Sequence, residues 1–141
     1  RKNICIMKAE ELMIGDWVKT NPSCGKLACD IKSSIARVSE IGFSNSDGMY
    51  VSFVGIKGRY YDDEIEPILL TEEILEKNGF KKNNFNQYVL GKSYLGEEIY
   101  YEIGFIQLRY PNSYYSILSC GYVHEFQHML KIFGIKKEIV L

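Results

Sequence analysis

From Glu98 to Gly104 the chain reads EIYYEIG, and its side chains alternate with a period of two. Ile99, Tyr101 and Ile103 fall on one side, Glu98, Tyr100 and Glu102 on the other. Residues i, i+2 and i+4 share a side only in an extended strand, so this segment must cover a core with one face and meet water with the other. "FIQLRY" from Phe105 and "YYSIL" from Tyr114 continue it as a meander, with Pro111-Asn112 as the turn.

In front of the meander, "TEEILEKNGF" carries helix punctuation. Thr71 is an N-cap, Glu72 and Glu73 face the positive end of the helix dipole, and Gly79 is placed as a C-cap. Phe80 can then fold back on the last turn, and "KKNNFN" reads as a polar linker. Behind the meander a second helix runs to Gly134, and "KEIVL" is expected to return as an edge strand.

Residues 1–70 have a different texture. Gly15-Asp16 is a turn into a strand from Trp17 to Lys19, and "IARVSEIGF" is a second strand in which Gly42 marks a bulge or a close approach. The Asp-Gly pair of "NSDG" signals a hairpin, with "MYVSFVGI" returning. "GRYYDDEIEPILL" adds a charged turn and a fourth extended segment, Pro67 placing part of it at an edge. The expected class is α+β. A small bent sheet or barrel occupies residues 1–70, and a helix, an antiparallel meander, a second amphipathic helix and an edge strand occupy residues 71–141.

Hydrophobic residues are 46% and charged ones 25% of 141, which is globular material with enough length for a core. A net charge of -1 excludes a global field that steers the chain to nucleic acid or an anionic membrane, though a local basic patch stays open. The longest uncharged run, Tyr110 to Val123, is too short for a bilayer, so no membrane partner is expected. "RKNICIMKAE" lacks the apolar stretch of a secretion signal, and a cytoplasmic location is expected. Cys5, Cys24, Cys29 and Cys120 are then reduced thiols, with a disulfide framework as the alternative.

The segment "YVHEFQHML" contains H-E-x-x-H. On a helix this spacing presents His124 and His128 to one zinc ion and Glu125 as general base for a metal-bound water. A hydrolytic site also needs a third protein ligand, and the chain's two histidines are already used. The extended form of the motif is absent, with Lys131 at its Gly and Gly134 at its third His. At about 100° per residue, Val123, Phe126, Met129, Leu130 and Phe133 gather on one side, and His124, Gln127, His128 and Lys131 on the other. The histidines are therefore expected on a wet face.

Smaller constellations accompany it. Cys120 precedes His124 by four residues, the types needed for a nucleophile and its base, or a packed thiol. "YYDDEIE" gathers acids that suit a divalent cation or a solvated hairpin end. Trp17, Phe53, Tyr60 and Tyr61, with Lys57 and Arg59 nearby, form either a stacking platform for nucleic acid or a barrel core.

Three blocks, "MKAEELMIGDWV", "IEPILLTEEILEKNGF" and "YVHEFQHMLKIFGIKKEIVL", together resemble a family of small uncharacterised proteins of Bacteroidales genomes, their prophages and other mobile elements. The resemblance covers most of the chain from Met7 onward and implies no enzyme activity, cofactor or catalytic residue. Within it, Tyr122, Val123, His124 and Gln127 resemble a "Y-V-H-x-L-Q" packing signature, with Phe126 at the Leu position and Glu125 and His128 incidental. "IGDWV" is similar to the first strand of Tudor- or KOW-like small barrels. The expectation is a non-enzymatic binding or adaptor protein of a phage or mobile-element process. Its partner is an unknown protein or nucleic acid, it needs no cofactor, and homo-oligomerisation stays open. Two rivals stand beside it. One is a minimal zinc-dependent hydrolase built on His124, Glu125 and His128. The other is a nucleic-acid-binding barrel using Trp17, Tyr60 and Tyr61.

Overall fold

A computed structural model describes residues 7–20, 34–90, 98–102, 104–110 and 113–141. They form two compact units, Arg1–Ile68 and Leu69–Leu141. The class is α+β: each unit holds a five-stranded sheet, and the second adds two helices.

In the first unit, β1 (Trp17–Thr20), β2 (Ile35–Ser44), β3 (Gly48–Phe53), β4 (Ile56–Tyr60) and β5 (Ile65–Glu66) lie in the order β4-β3-β2-β1-β5, every pair antiparallel. The expected barrel is not closed. β4 and β5 are the outer strands, and β5 ends at two residues because Pro67 follows it with no N–H to give. "MYVSFVGI" is not one strand either. Gly55, at a φ of 73°, allows a tight turn after Phe53, and β4 begins on the far side. Two 3-10 turns were not expected, Ala9–Glu11 ahead of β1 and Asp62–Glu64 ahead of β5. They are tied together where the Ala9 N–H donates to Asp62 Oδ1 at 2.7 Å.

The bend of this sheet has a definite place. The β2–β3 register slips between Val38 and Glu40, not at Gly42. Gly42 is instead the close approach: it pairs with Tyr50, whose ring lies where a Cβ on Gly42 would have to be. Tyr50 is thereby buried at 8% exposure, and the Arg59 guanidinium sits 4.3 Å from its ring centre. Beneath the sheet, Met7, Val18, Val38, Val51, Phe53 and Tyr60 form a continuous apolar core.

The second unit is a plain meander, β10-β9-β8-β7-β6, between α1 (Glu72–Lys77) and α2 (Val123–Ile132). Its strands are β6 (Lys81–Lys82), β7 (Tyr88–Leu90), β8 (Glu98–Glu102), β9 (Phe105–Tyr110) and β10 (Ser113–Ser119). Ile99 and Tyr101 of β8 are buried and Glu102 is exposed, while Ile103 and the Pro111-Asn112 turn lie outside the described residues. Thr71 Oγ1 accepts from the Ile74 N–H, and Gly79, at a φ of 91°, lets the Phe80 N–H return to the Leu75 carbonyl. The Phe80 ring then meets Phe126 of α2 edge-on at 5.6 Å.

Two expectations fail in this unit. "KKNNFN" is not a linker but β6 and the turn into β7, because the Asn83 side chain supplies the turn's hydrogen bonds: its Oδ1 accepts from the Phe85 and Gln87 N–H groups. "KEIVL" forms no strand. Asn78, buried at the end of α1, takes the place of a neighbouring strand: its carboxamide accepts from the Val140 N–H and donates to the Val140 carbonyl, both at 2.8 Å.

The Gly42 approach yields a prediction. Gly42→Ala forces the Tyr50 ring off its seat, and overpacking of this kind destabilises by about 1–3 kcal/mol. Urea unfolding of the variant should show that loss, and an unchanged midpoint would contradict the packing described.

Candidate functional site

The H-E-x-x-H residues all lie on α2, and the motif's carboxylate has a structural task. Glu125 Oε1 accepts from the backbone N–H of Gly121 at 3.0 Å and of Tyr122 at 3.1 Å. Amides at a helix start lack helical acceptors, and a carboxylate at the third helical position reaches back to supply one. Its charge also lies at the positive end of the helix dipole. A general base would have to aim at a metal-bound water; this one is turned back on the entry to its own helix.

The wet face expected for the histidines is only partly there. His124 is 5% exposed and Gln127 9%, while His128 is half-buried and Lys131 exposed. The wheel gives direction but not cover. At the first turn the Tyr122 ring stacks on the His124 imidazole, 6.0 Å between centroids and 18° from parallel. His128 meets that imidazole edge-on at 5.8 Å. Among the described residues, no three His, Cys, Asp or Glu side chains are grouped to hold a metal ion.

Cys120 is fully buried, and its thiol is pushed up from 9.0 to about 12, first by burial and then by the Glu125 carboxylate. A nucleophilic cysteine needs the opposite shift.

The three aromatic candidates of the first unit do not form one platform. Tyr60 is 3% exposed and packs edge-on against Phe53 in the core, so it is no stacking surface. Tyr61, half-buried, meets Tyr50 edge-on at 6.2 Å. Trp17 is half-buried on β1 and carries the Arg37 guanidinium 5.6 Å from its ring centre. Among the four carboxylates of "YYDDEIE", Asp62 accepts from the Ala9 N–H, and Glu64 Oε1 accepts from the Tyr61 N–H.

Around Trp17 the structure assembles a surface that sequence reading missed. Arg37 Nε donates to the Gly15 carbonyl at 3.1 Å, the Gly15 N–H donates to the Val38 carbonyl, and the Val54 N–H donates to the Arg37 carbonyl. The turn before β1 and the turn after β3 therefore flank Arg37. They leave Met13 at 47%, Ile14 at 63% and Val54 at 63% exposure. The signal was present as apolar residues inside turn segments, where solvent would select polar ones.

In the second unit a cavity of about 430 Å³ opens between the start of α1 and strands β6–β8, lined by Glu72, Leu75, Lys82, Asn86, Tyr88 and Tyr101 among others. No helix among the described residues is long and apolar enough to cross a membrane. Comparison with protein-family models, with curated proteins and with solved structures finds no match to this chain.

Two predictions follow from α2 and its approach. Glu125→Ala should destabilise by about 0.5–2 kcal/mol through loss of the cap, and Glu125→Gln, which can still accept, by less. His128→Ala, which loses a half-buried edge-on contact with His124, should cost about 0.5–1.5 kcal/mol in chemical denaturation; a catalytic glutamate would give no difference in stability between the Ala and Gln variants at Glu125. The raised Cys120 pKa also fixes a pH dependence. Its folded value lies above the unfolded one, so the folded protein holds the proton more tightly; the contribution is complete below about pH 9 and is lost as pH rises toward 12. Cys120→Ser should make that alkaline limb of the unfolding midpoint shallower, the part due to the raised Tyr88 and Tyr101 phenols remaining, and an unchanged limb would contradict the assignment.

Proposed function

We propose that this chain is a non-enzymatic binding protein that docks a partner protein through the Trp17–Arg37 surface of its first unit. The observation that carries the reading is the joint exposure of Met13, Ile14 and Val54 around that pair. Exposed apolar clusters rimmed by polar groups mark interaction sites, and Trp and Arg are the side chains most often dominant at their centres. Arg37 brings the only formal charge among these five residues, so the complementary partner segment offers a carboxylate between apolar side chains. The guanidinium is already oriented by Gly15 and by the Trp17 ring, which lowers the entropy lost on binding. On the enzymatic side, the carboxylate of the H-E-x-x-H spacing is engaged in a helix cap and the Cys120 thiol is held protonated; both weigh against hydrolysis.

The test is selection from a displayed random-peptide library on the intact protein, followed by affinity measurement. Enriched peptides should place Asp or Glu between apolar residues, and Ile14→Asp and Val54→Asp should each weaken them by about tenfold or more. Both positions are exposed, so the fold should survive. Peptides insensitive to both variants would overturn the reading. So would single-stranded oligonucleotide binding that both variants leave unchanged, which would favour a nucleic-acid partner instead.

A further inference from the structure

We infer that the cavity of the second unit is a binding site for a small amphoteric aromatic molecule, of the chemical class of a free aromatic amino acid. It is independent of the docking surface on the first unit. At about 430 Å³ the cavity falls within the range of roughly 300–1,000 Å³ typical of small-molecule sites. Leu75, Tyr88 and Tyr101, each 8% exposed or less, give it an apolar, aromatic floor. Two exposed side chains of opposite sign also line it, Glu72 from α1 and Lys82 from β6.

These charges are distributed about Tyr88. The Lys82 ammonium stands 5.8 Å from the Tyr88 ring centre. The Tyr88 hydroxyl donates to Glu76 Oε1 at 3.4 Å, and the Glu72 carboxylate acts on the same phenol. A planar ring laid on this floor has a cation, Lys82, in the lining for a carboxylate and an anion, Glu72, for an ammonium. A purely apolar ligand would leave both charges unused, and a simple anion or cation would use one.

The rim is also held in shape before any ligand arrives. Asn83 Oδ1 accepts from two backbone amides of the β6–β7 turn, and Asn83 Nδ2 donates to Gln87 Oε1 at 3.2 Å. Gln87 Nε2 in turn donates to Glu102 Oε2 of β8 at 3.3 Å. Asn86, which lines the cavity, has a φ of 60°, the one left-handed residue other than glycine among those described. Asn accepts that conformation at low cost, so the turn keeps its shape without strain.

Three probes differing by one charge test this on the full chain: tryptophan, tryptamine without the carboxylate, and indole-3-propionate without the amine. Amide chemical shifts of Lys82, Asn86 and Tyr88 should move and saturate with tryptophan at a Kd of about 0.1–1 mM, weak as befits so few atoms. Tryptamine and indole-3-propionate should each bind about tenfold more weakly, the step expected for one lost charge-assisted contact. Lys82→Met should reduce tryptophan to the level of tryptamine while leaving tryptamine unchanged. Glu72→Gln should do the same with respect to indole-3-propionate. Both substituted residues are exposed, and unshifted amides in α2 would show that the fold is intact. The inference is overturned if nothing saturates at about 10 mM, or if all three probes bind alike and ignore both variants.

Discussion

The second unit depends on how the chain enters α2. The backbone before Val123 must leave the sheet, satisfy its own amides and deliver Val123, Phe126 and Leu130 to the core over two helical turns. One carboxylate oxygen of Glu125 meets that need by accepting from Gly121 and Tyr122 together. Leu69 forms an antiparallel bridge with Tyr122, and the Leu70 N–H donates to the Gly121 carbonyl, so the same short segment also fixes the approach to α1. Phe80 and Phe126 can then meet edge-on between the two helices. Without the cap, an entry that orders both helices would carry unsatisfied donors, which are costly where water is excluded.

This explains how a catalytic spelling can be structural. H-E-x-x-H requires a glutamate one residue after a histidine on a helix. If the helix begins just before that histidine, the glutamate falls on the third position of the first turn, where a cap is needed. The position decides the role. In mid-helix the carboxylate faces a bound metal; at the start it faces its own backbone. His124 follows the same logic, since the first turn is where Tyr122 can lie along it.

Much of the fold was legible, because it rests on local rules. The alternation of Ile99, Tyr101 and Glu102, the Asp-Gly hairpin, and the Thr71 and Gly79 caps each appear in the structure for the reasons their chemistry gives. What could not be read was settled by partners distant in sequence. Asn78 holds Val140 over sixty-two positions and so replaces a predicted strand, and Tyr50 fills the space over Gly42. The candidate site was less legible still. Trp17 could be named from its type, but Arg37 joins it as its cross-strand partner on β2, and Ile14 and Val54 only through two turns. Lys82 and Asn86 were hidden in a stretch whose composition is that of a linker, and only the Asn83 side chain makes it a rim.

The central claim is that the glutamate of "HEFQH" belongs to the backbone of its own helix start. Hydrogen exchange of the Gly121 and Tyr122 amides, followed by NMR in the native protein with and without excess zinc, tests it most directly. Both amides should be protected, zinc should leave them unchanged, and Glu125→Ala should release them while the α2 amides beyond the first turn stay slow. Rapid exchange at both amides in the unaltered protein, or protection that zinc abolishes as it draws the carboxylate away, would contradict the account.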